Sequence, residues 1–213
     1  AFSWDFGDGT PSGSGSSVSH TYVDDGTYTV TVVATDDAGA STSYSQTVTV
    51  SNSAPWVAVM DTPDGDEGSP IAFSVTGADA GADSMTYSWD FGDGSPAGTG
   101  PTPVHTYADD GAYDVTVTVT DDDGASGNLT QSLNVANVDP TITELLGDLA
   151  GDEGSVLNWT VAGTDPGTDP LVFTWDFGDG SATAEGDQAD HAYDDEGVYT
   201  ISVSAADGDG GSD

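Results

Sequence analysis

Lysine and arginine are absent from all 213 residues, against 38 aspartates and glutamates, so the formal charge at neutral pH is -38. A soluble chain of this length ordinarily carries roughly 25 basic residues. Neutralising a phosphate backbone needs Lys or Arg, which excludes nucleic acid as a partner. Attraction to anionic lipid is excluded on the same ground. Cysteine is missing too, which removes disulfides, thiolate chemistry and cysteine-ligated zinc. No apolar run approaches the ~20 residues of a membrane-spanning helix, so direct membrane insertion of this segment is not expected. The sequence opens AFSWDF, without an initiator Met or a signal peptide, and reads as a mature segment or a piece of a longer chain.

High net charge ordinarily argues for disorder. Here the hydrophobic fraction is 35%, with five Trp, eight Tyr and six Phe. Those residues fall in alternating runs, and the 29 Gly and 10 Pro fall between the runs, where turns belong. The chain therefore reads as folded and loop-rich, with an almost purely anionic surface.

Internal repetition sets the organisation. WDFGDG begins at Trp4, Trp89 and Trp175, at spacings of 85 and 86 residues. His20, His105 and His191 keep those spacings, as do Tyr22, Tyr107 and Tyr193, and Asp36, Asp121 and Asp207. GDEGS recurs at 65–69 and 151–155. The chain is thus about two and a half copies of one unit. Residues 1–52 lack the first strands of the unit, 53–137 are complete, and 138–213 lack the last strand.

In the complete unit, strands are expected at WVAVM (56–60), IAFSVTG (71–77), MTYSWDF (85–91), AYDVTVTVT (112–120) and LTQSLNV (129–135). Asp79–Ser84 reads as a loop. Met85, Tyr87, Trp89 and Phe91 share one face, as do Tyr113, Val115, Val117 and Val119. Period-two alternation with regular turn signals indicates an all-β chain of tandem β-sandwiches.

YSWDFGDG followed by HTYADDGAYDVTVTVTDDDG resembles the PKD (polycystic-kidney-disease) domain, and the likeness recurs in all three units. The resemblance implies an immunoglobulin-like sandwich and an extracellular, non-catalytic module of microbial surface proteins, surface layers or secreted hydrolases. It also implies calcium binding in some members. The absence of basic residues sets this chain apart and points to saline surroundings or to dependence on divalent cations.

The repeated motif reads as structural. Trp4, Trp89 and Trp175 anchor cores, Asp5, Asp90 and Asp176 accept turn amides, and Gly92 and Gly94 supply turn conformations. His20, His105 and His191 recur at one position beside a Tyr, which suits a hydrogen-bonded imidazole better than a catalytic or metal-binding one. A Ser-His-Asp set finds no G-x-S-x-G elbow to support it.

In an immunoglobulin-like sandwich, one pole of the complete unit gathers Asp79, Asp83, Asp121, Asp122 and Asp123. The same pole of the third unit gathers Asp139, Asp165, Asp169, Asp207 and Asp209. The opposite pole holds Asp64, Asp66, Glu67, Asp93, Asp109 and Asp110. End-to-end stacking brings unlike poles together, so carboxylates crowd each junction with no basic side chain to neutralise them. Hard divalent cations suit such oxygen ligands, and irregular loops favour Ca2+ over Mg2+. Asn128 and Asn158 each open an N-x-T sequon.

The leading expectation is a passive array on a microbial surface, such as a stalk, adhesin shaft, surface-layer component or filament. Flanking repeats, or strands from neighbouring copies, would complete the partial units. The alternative is an accessory substrate-binding region of a secreted hydrolase, for which Trp56 and Trp159 are candidate exposed aromatics. A polysaccharide or another surface protein is then the partner.

Overall fold

Alternation along the chain dictates what each strand buries. In Gly111–Thr120, Val115, Val117 and Val119 are fully buried, while Thr116, Thr118 and Thr120 alternate with them. β-Branched residues favour this pleated, half-buried setting. The computed structural model describes residues 1–81 and 83–213; Ala82, inside the loop expected over Asp79–Ser84, lies outside them. Among the described residues the regular structure is all β-strand, with no helix.

The complete unit is a sandwich of two layers. One is a five-stranded sheet in the order Gly98–Thr99, Thr86–Asp90, Gly111–Thr120, Ser126–Ala136, Gly65–Asp66. Its pairings are antiparallel except the last, where Gly65–Asp66 runs parallel to Ser126–Ala136. The other layer pairs Trp56–Asp61 with Ser74–Ala78, and Pro70–Ala72 with Val104–Thr106. The strand expected at 71–77 is therefore two strands. Between them Phe73 turns its amide to the carbonyl of Pro103, outside the ladder. The expected strand at 56–60 carries a bulge between Val57 and Val59, which interrupts its alternation. Met60, Ile71, Phe73, Val75, Trp89, Phe91, Tyr107, Val115, Val117, Leu133 and Val135 fill the space between layers. This is the immunoglobulin-like order.

The third unit repeats the plan in two three-stranded sheets. One joins Thr141–Gly147, Val156–Thr164 and Gln188–Ala192; the other joins Ala184–Glu185, Val172–Asp176 and Ser202–Ala206. Its Ser202–Ala206 strand matches only the second half of Gly111–Thr120, and Ser212 and Asp213 pair with Ala206 and Ala205 as Ser126 and Gly127 pair with Thr120 and Val119. Trp159 corrects one expectation. It sits 86 residues after Phe73 and is 5% exposed in the core, its indole donating to the carbonyl of Asp148, so it is not a surface platform. Trp56 is 51% exposed.

The first unit contributes a single sheet, in the order Gly13–Ser14, Phe2–Asp5, Gly26–Thr35, Ser41–Val50. Val30 and Val32, the counterparts of Val115 and Val117, are only half-buried. Trp4, Phe6, Val18, Tyr22, Val30 and Val48 line an open concavity where the complete unit has its second layer.

Truncating a fully buried aromatic leaves a cavity and costs about 3–5 kcal/mol. Trp89→Ala is therefore expected to lose that much stability in denaturant unfolding followed by circular dichroism. Trp4→Ala, at the same motif position on the open sheet, is expected to lose much less. Equal losses would contradict this account of the core.

Candidate metal centre at the repeat junctions

The WDFGDG turn builds the same device three times. In the complete unit Asp90 accepts the Gly92 amide and Asp93 accepts the Ser95 amide, each at 3.0 Å. Gly92 lies at φ +81°, and a Cβ there would meet the Asp114 carbonyl oxygen at 2.7 Å. Asp93 Oδ2 lies 2.7 Å from His105 Nε2, and His105 stacks on Phe91 at 4.0 Å. Tyr107 donates to the Phe91 carbonyl, and the Trp89 indole donates to that of Gly100. The pairs Asp8–His20 and Asp179–His191 repeat the geometry at 2.6 and 2.7 Å. Each imidazole is thus a structural partner enclosed by aromatic rings.

A second group of acids closes hairpins and holds linkers. Asp207 Oδ1 accepts the amides of Gly208, Asp209, Gly210 and Gly211, while Oδ2 accepts the Asn137 side chain at 2.9 Å. Asp121 accepts the Ala125 amide and the Asn52 side chain. These bonds, from Asn137 first, hold the Asp207 carboxyl down at about 2, and those from Asn52 first hold Asp121 low. Asn52 and Asn137 tie each linker to the unit that follows it. Sequence reading passed over both, although they stand 85 residues apart, three residues before Pro55 and Pro140.

A third set of acids, which shares Asp121 with the second, converges where units meet. At the first junction, carboxylate oxygens of Asp24, Asp83 and Asp123 lie within 4.8 Å of one another, and so do those of Asp79, Asp83 and Asp121. At the second, Glu67, Asp109 and Asp169 form one such group, and Asp109, Asp110 and Asp209 another. The junctions are equivalent in register: Asp24 and Asp109, Asp83 and Asp169, and Asp123 and Asp209 are paired at spacings of 85, 86 and 86. Glu67 is completely buried, with Oε1 accepting the Val138 amide at 2.9 Å and Oε2 left without a partner. Asp79, Asp165 and Asp169 each leave a buried Oδ2 unpartnered as well. The loops touch directly, the Thr168 amide donating to the Ala108 carbonyl at 2.8 Å.

This crowding moves the acids' proton affinities upward. Asp83 is pushed up to about 6 by burial and by the charges of Asp24, Asp79 and Asp122. Burial first, then neighbouring carboxylates, raises Glu67, Asp169 and Asp209; the Val138 amide opposes the rise at Glu67. Asp123 is raised by its hydrogen bond with Asp25 ahead of burial. Buried like charges without compensation are costly. Orphaned oxygens and an all-carboxylate donor set fit a hard divalent cation, with Ca2+ the best match for irregular loops.

Of the acids that the sequence assigns to the two poles, Asp79, Asp83, Asp121, Asp123, Asp169 and Asp209 from one pole and Glu67, Asp109 and Asp110 from the other enter these groups. Asp165 directs Oδ1 to the Gly167 amide and leaves Oδ2 buried near Glu67. Asp122 accepts the Ser84 amide beside the first junction. Asp139 lies with Asp207 and Asn137 around Gly211, outside the four groups. Asp24 and Asp25 were not singled out; their alignment with Asp109 and Asp110 is the signal that reveals them. Asn128 and Asn158 are both exposed on strands.

Tandem immunoglobulin-like sandwiches carrying this turn define a class of repeat module. A model of the PKD domain family matches residues 1–51, 52–136 and 137–213, and the chain belongs to that family. Human polycystin-1 is 33% identical over 89% of this chain and 4% of its own length. A microbial collagenase of Vibrio alginolyticus is 34% identical over 43% of this chain and 11% of its own length. The chain therefore spans a small share of these curated relatives. The crystal structure of the PKD1 domain of Vibrio cholerae metalloprotease PrtV is similar at 34% identity and a TM-score of 0.33, covering 38% of this chain and 96% of that one.

Asp8 is held at about 2 by the Thr10 hydroxyl ahead of its other partners, which include His20. Asp179 is held at about 2 by Ser181 and His191. A carboxylate held below its unfolded value of about 3.9 stabilises the fold above that pH. The contribution disappears as pH falls through the folded value. Melting temperature is therefore expected to drop between pH 4 and 2, and Asp8→Asn with Asp179→Asn is expected to flatten that drop. An unchanged pH profile in the double variant would refute the assignment.

Proposed function

We propose that this chain is a non-catalytic extracellular array whose units sit end to end with divalent cations, chiefly Ca2+, between them. It serves as a spacer: a stalk, adhesin shaft, surface-layer segment or filament segment of a microbial surface protein. The observation that carries the reading is the convergence of acids from adjacent units at equivalent positions of both junctions. The family is shared with secreted proteases and polycystin-1, which favours the outside of the cell. The three histidines are spent on repeated structural pairs, which leaves a catalytic reading without support. Like charge over the whole surface keeps neighbouring copies apart.

Chelator at low ionic strength is expected to lower the melting temperature sharply by scanning calorimetry, and added Ca2+ to restore it. Molar salt is expected to compensate partly, since it shortens screening to ~3 Å. A melting curve indifferent to chelator would remove cations from the account.

Similarity to a microbial collagenase favours a second reading, in which the units are accessory substrate-binding modules of a secreted hydrolase. Trp56 is the exposed tryptophan available for it, alongside exposed Tyr44 and Phe2. Retention on insoluble collagen, chitin or cellulose, abolished by Trp56→Ala, is the expected result under this reading. Free passage through all three excludes it.

A further inference from the structure

We infer that the loop joining the two sheets of the third unit is a self-cleaving site, at which the Asp165 carboxylate severs its own peptide bond to Pro166.

Three Asp–Pro bonds occur in the chain, at 139–140, 165–166 and 169–170. Such a bond has its own chemistry. Proline carries no N–H, so its nitrogen cannot attack the aspartate side chain and close the succinimide that other Asp-containing pairs form. The remaining intramolecular route runs from the carboxylate to the backbone carbonyl carbon. A carboxylate oxygen bonds to that carbon, the bond to the proline nitrogen breaks, and the nitrogen takes a proton from solvent. The product is a five-membered cyclic anhydride, which water opens to a C-terminal Asp with two free carboxyl groups. One water is consumed overall, and nothing is oxidised or reduced.

Of the three bonds, the fold arms the one at 165–166. Asp165 Oδ1 accepts the Gly167 amide at 2.8 Å. The ring closed by this side-chain turn encloses the 165–166 peptide, so the carboxylate is held beside the bond it cuts. Its Oδ2 is buried without a hydrogen-bond partner, and no donor competes for the lone pairs of that oxygen. The neighbouring unit clamps the turn. A Cβ at Gly68 would collide with the Pro166 carbonyl oxygen, and one at Gly167 would lie 2.5 Å from Glu67 Oε2. The Thr168 amide donates to the Ala108 carbonyl. Pro166 itself stays exposed, which gives solvent access to the leaving nitrogen. A nucleophile fixed against its target has already lost the freedom that otherwise slows attack. The other two acids are placed differently: Asp139 lies with Asp207 and Asn137 around Gly211, and Asp169 faces Glu67 and Asp109.

The complete unit holds an internal control. ADAGADS at 78–84 is the counterpart of TDPGTDP at 164–170. Asp79 Oδ1 accepts the Gly81 amide at 2.8 Å, and its Oδ2 is likewise buried and unpartnered. The carboxylates are placed alike, and the leaving group differs: Ala80 stands where the third unit has Pro166.

The cut falls between Val156–Thr164 and Val172–Asp176, strands of different sheets. Trp159 and Val161 before it share one core with Trp175, Phe177 and Tyr193 after it, and Val156–Thr164 pairs with Gln188–Ala192 across it. The severed unit therefore stays assembled, while the array gains a link held by packing alone.

The test incubates the full folded chain with protease inhibitors in one mildly acidic buffer, then denatures aliquots for mass spectrometry. Fragments 1–165 and 166–213 are expected to accumulate at a rate independent of protein concentration, about tenfold or more faster than cuts after Asp139 or Asp169. The urea-unfolded chain is expected to lose that preference. Asp165→Asn keeps an acceptor for the Gly167 amide, and Pro166→Ala reproduces the turn of the complete unit; each is expected to abolish the cut with an unchanged circular dichroism spectrum. Ala80→Pro is expected to add a cut after Asp79, a gain that misfolding does not produce. A folded chain that stays intact for as long as the unfolded one takes to fragment would overturn the site. Equal rates at the three Asp–Pro bonds, or no new cut in the Ala80→Pro variant, would overturn it equally.

Discussion

Every carboxylate here must be accommodated without a single lysine or arginine, and the structure solves that in three ways. Turn acids such as Asp5, Asp90 and Asp176 take backbone amides. Asp8, Asp93 and Asp179 add an imidazole. Both devices are local and satisfy the charge where it arises. The third is different in kind, because the acids at the junctions face other acids, and the compensation proposed for them is a cation from outside the chain. The first two therefore specify the unit, whereas the third governs how units are arranged.

The local devices need little help from the rest of the fold. The first unit has only one sheet, yet its imidazole stacks on Phe6 at 4.0 Å and its tyrosine hydroxyl reaches the Phe6 carbonyl, as in the complete unit. The open face changes the burial of Val30 and Val32 without disturbing the turn. Aromatic packing and amide capture thus hold the turn independently of the core above it, which explains how one motif can mark every repeat.

Much of this was legible before any coordinates. The spacing of Trp89, His105 and Tyr107 and the alternation from Tyr113 to Val119 define the sandwich, because strand periodicity is a local property. The break at Phe73 was not legible: an apolar run looks continuous whether it feeds one ladder or two. Trp159 was misread because its counterpart is Phe73, and a change of aromatic type hid the shared register. Topology alone assigns acids to poles, but not to groups. That Asp207 would be consumed by four successive amides depends on the tightness of one hairpin. That Glu67 would be buried depends on a loop a hundred residues further on.

The parallel pairing of Gly65–Asp66 with Ser126–Ala136 has a mechanical consequence. It joins the segments through which tension enters and leaves the complete unit. Asp64 binds the Asn134 amide and Glu67 donates to Ala136, so the contact is extended at both ends. Traction along the chain loads these bonds sideways and all together, where an antiparallel pair would peel apart one rung at a time. The bond nearest the exit belongs to Glu67, so the shear-bearing patch and the junction share a residue, and the force a repeat withstands is set where it meets its neighbour.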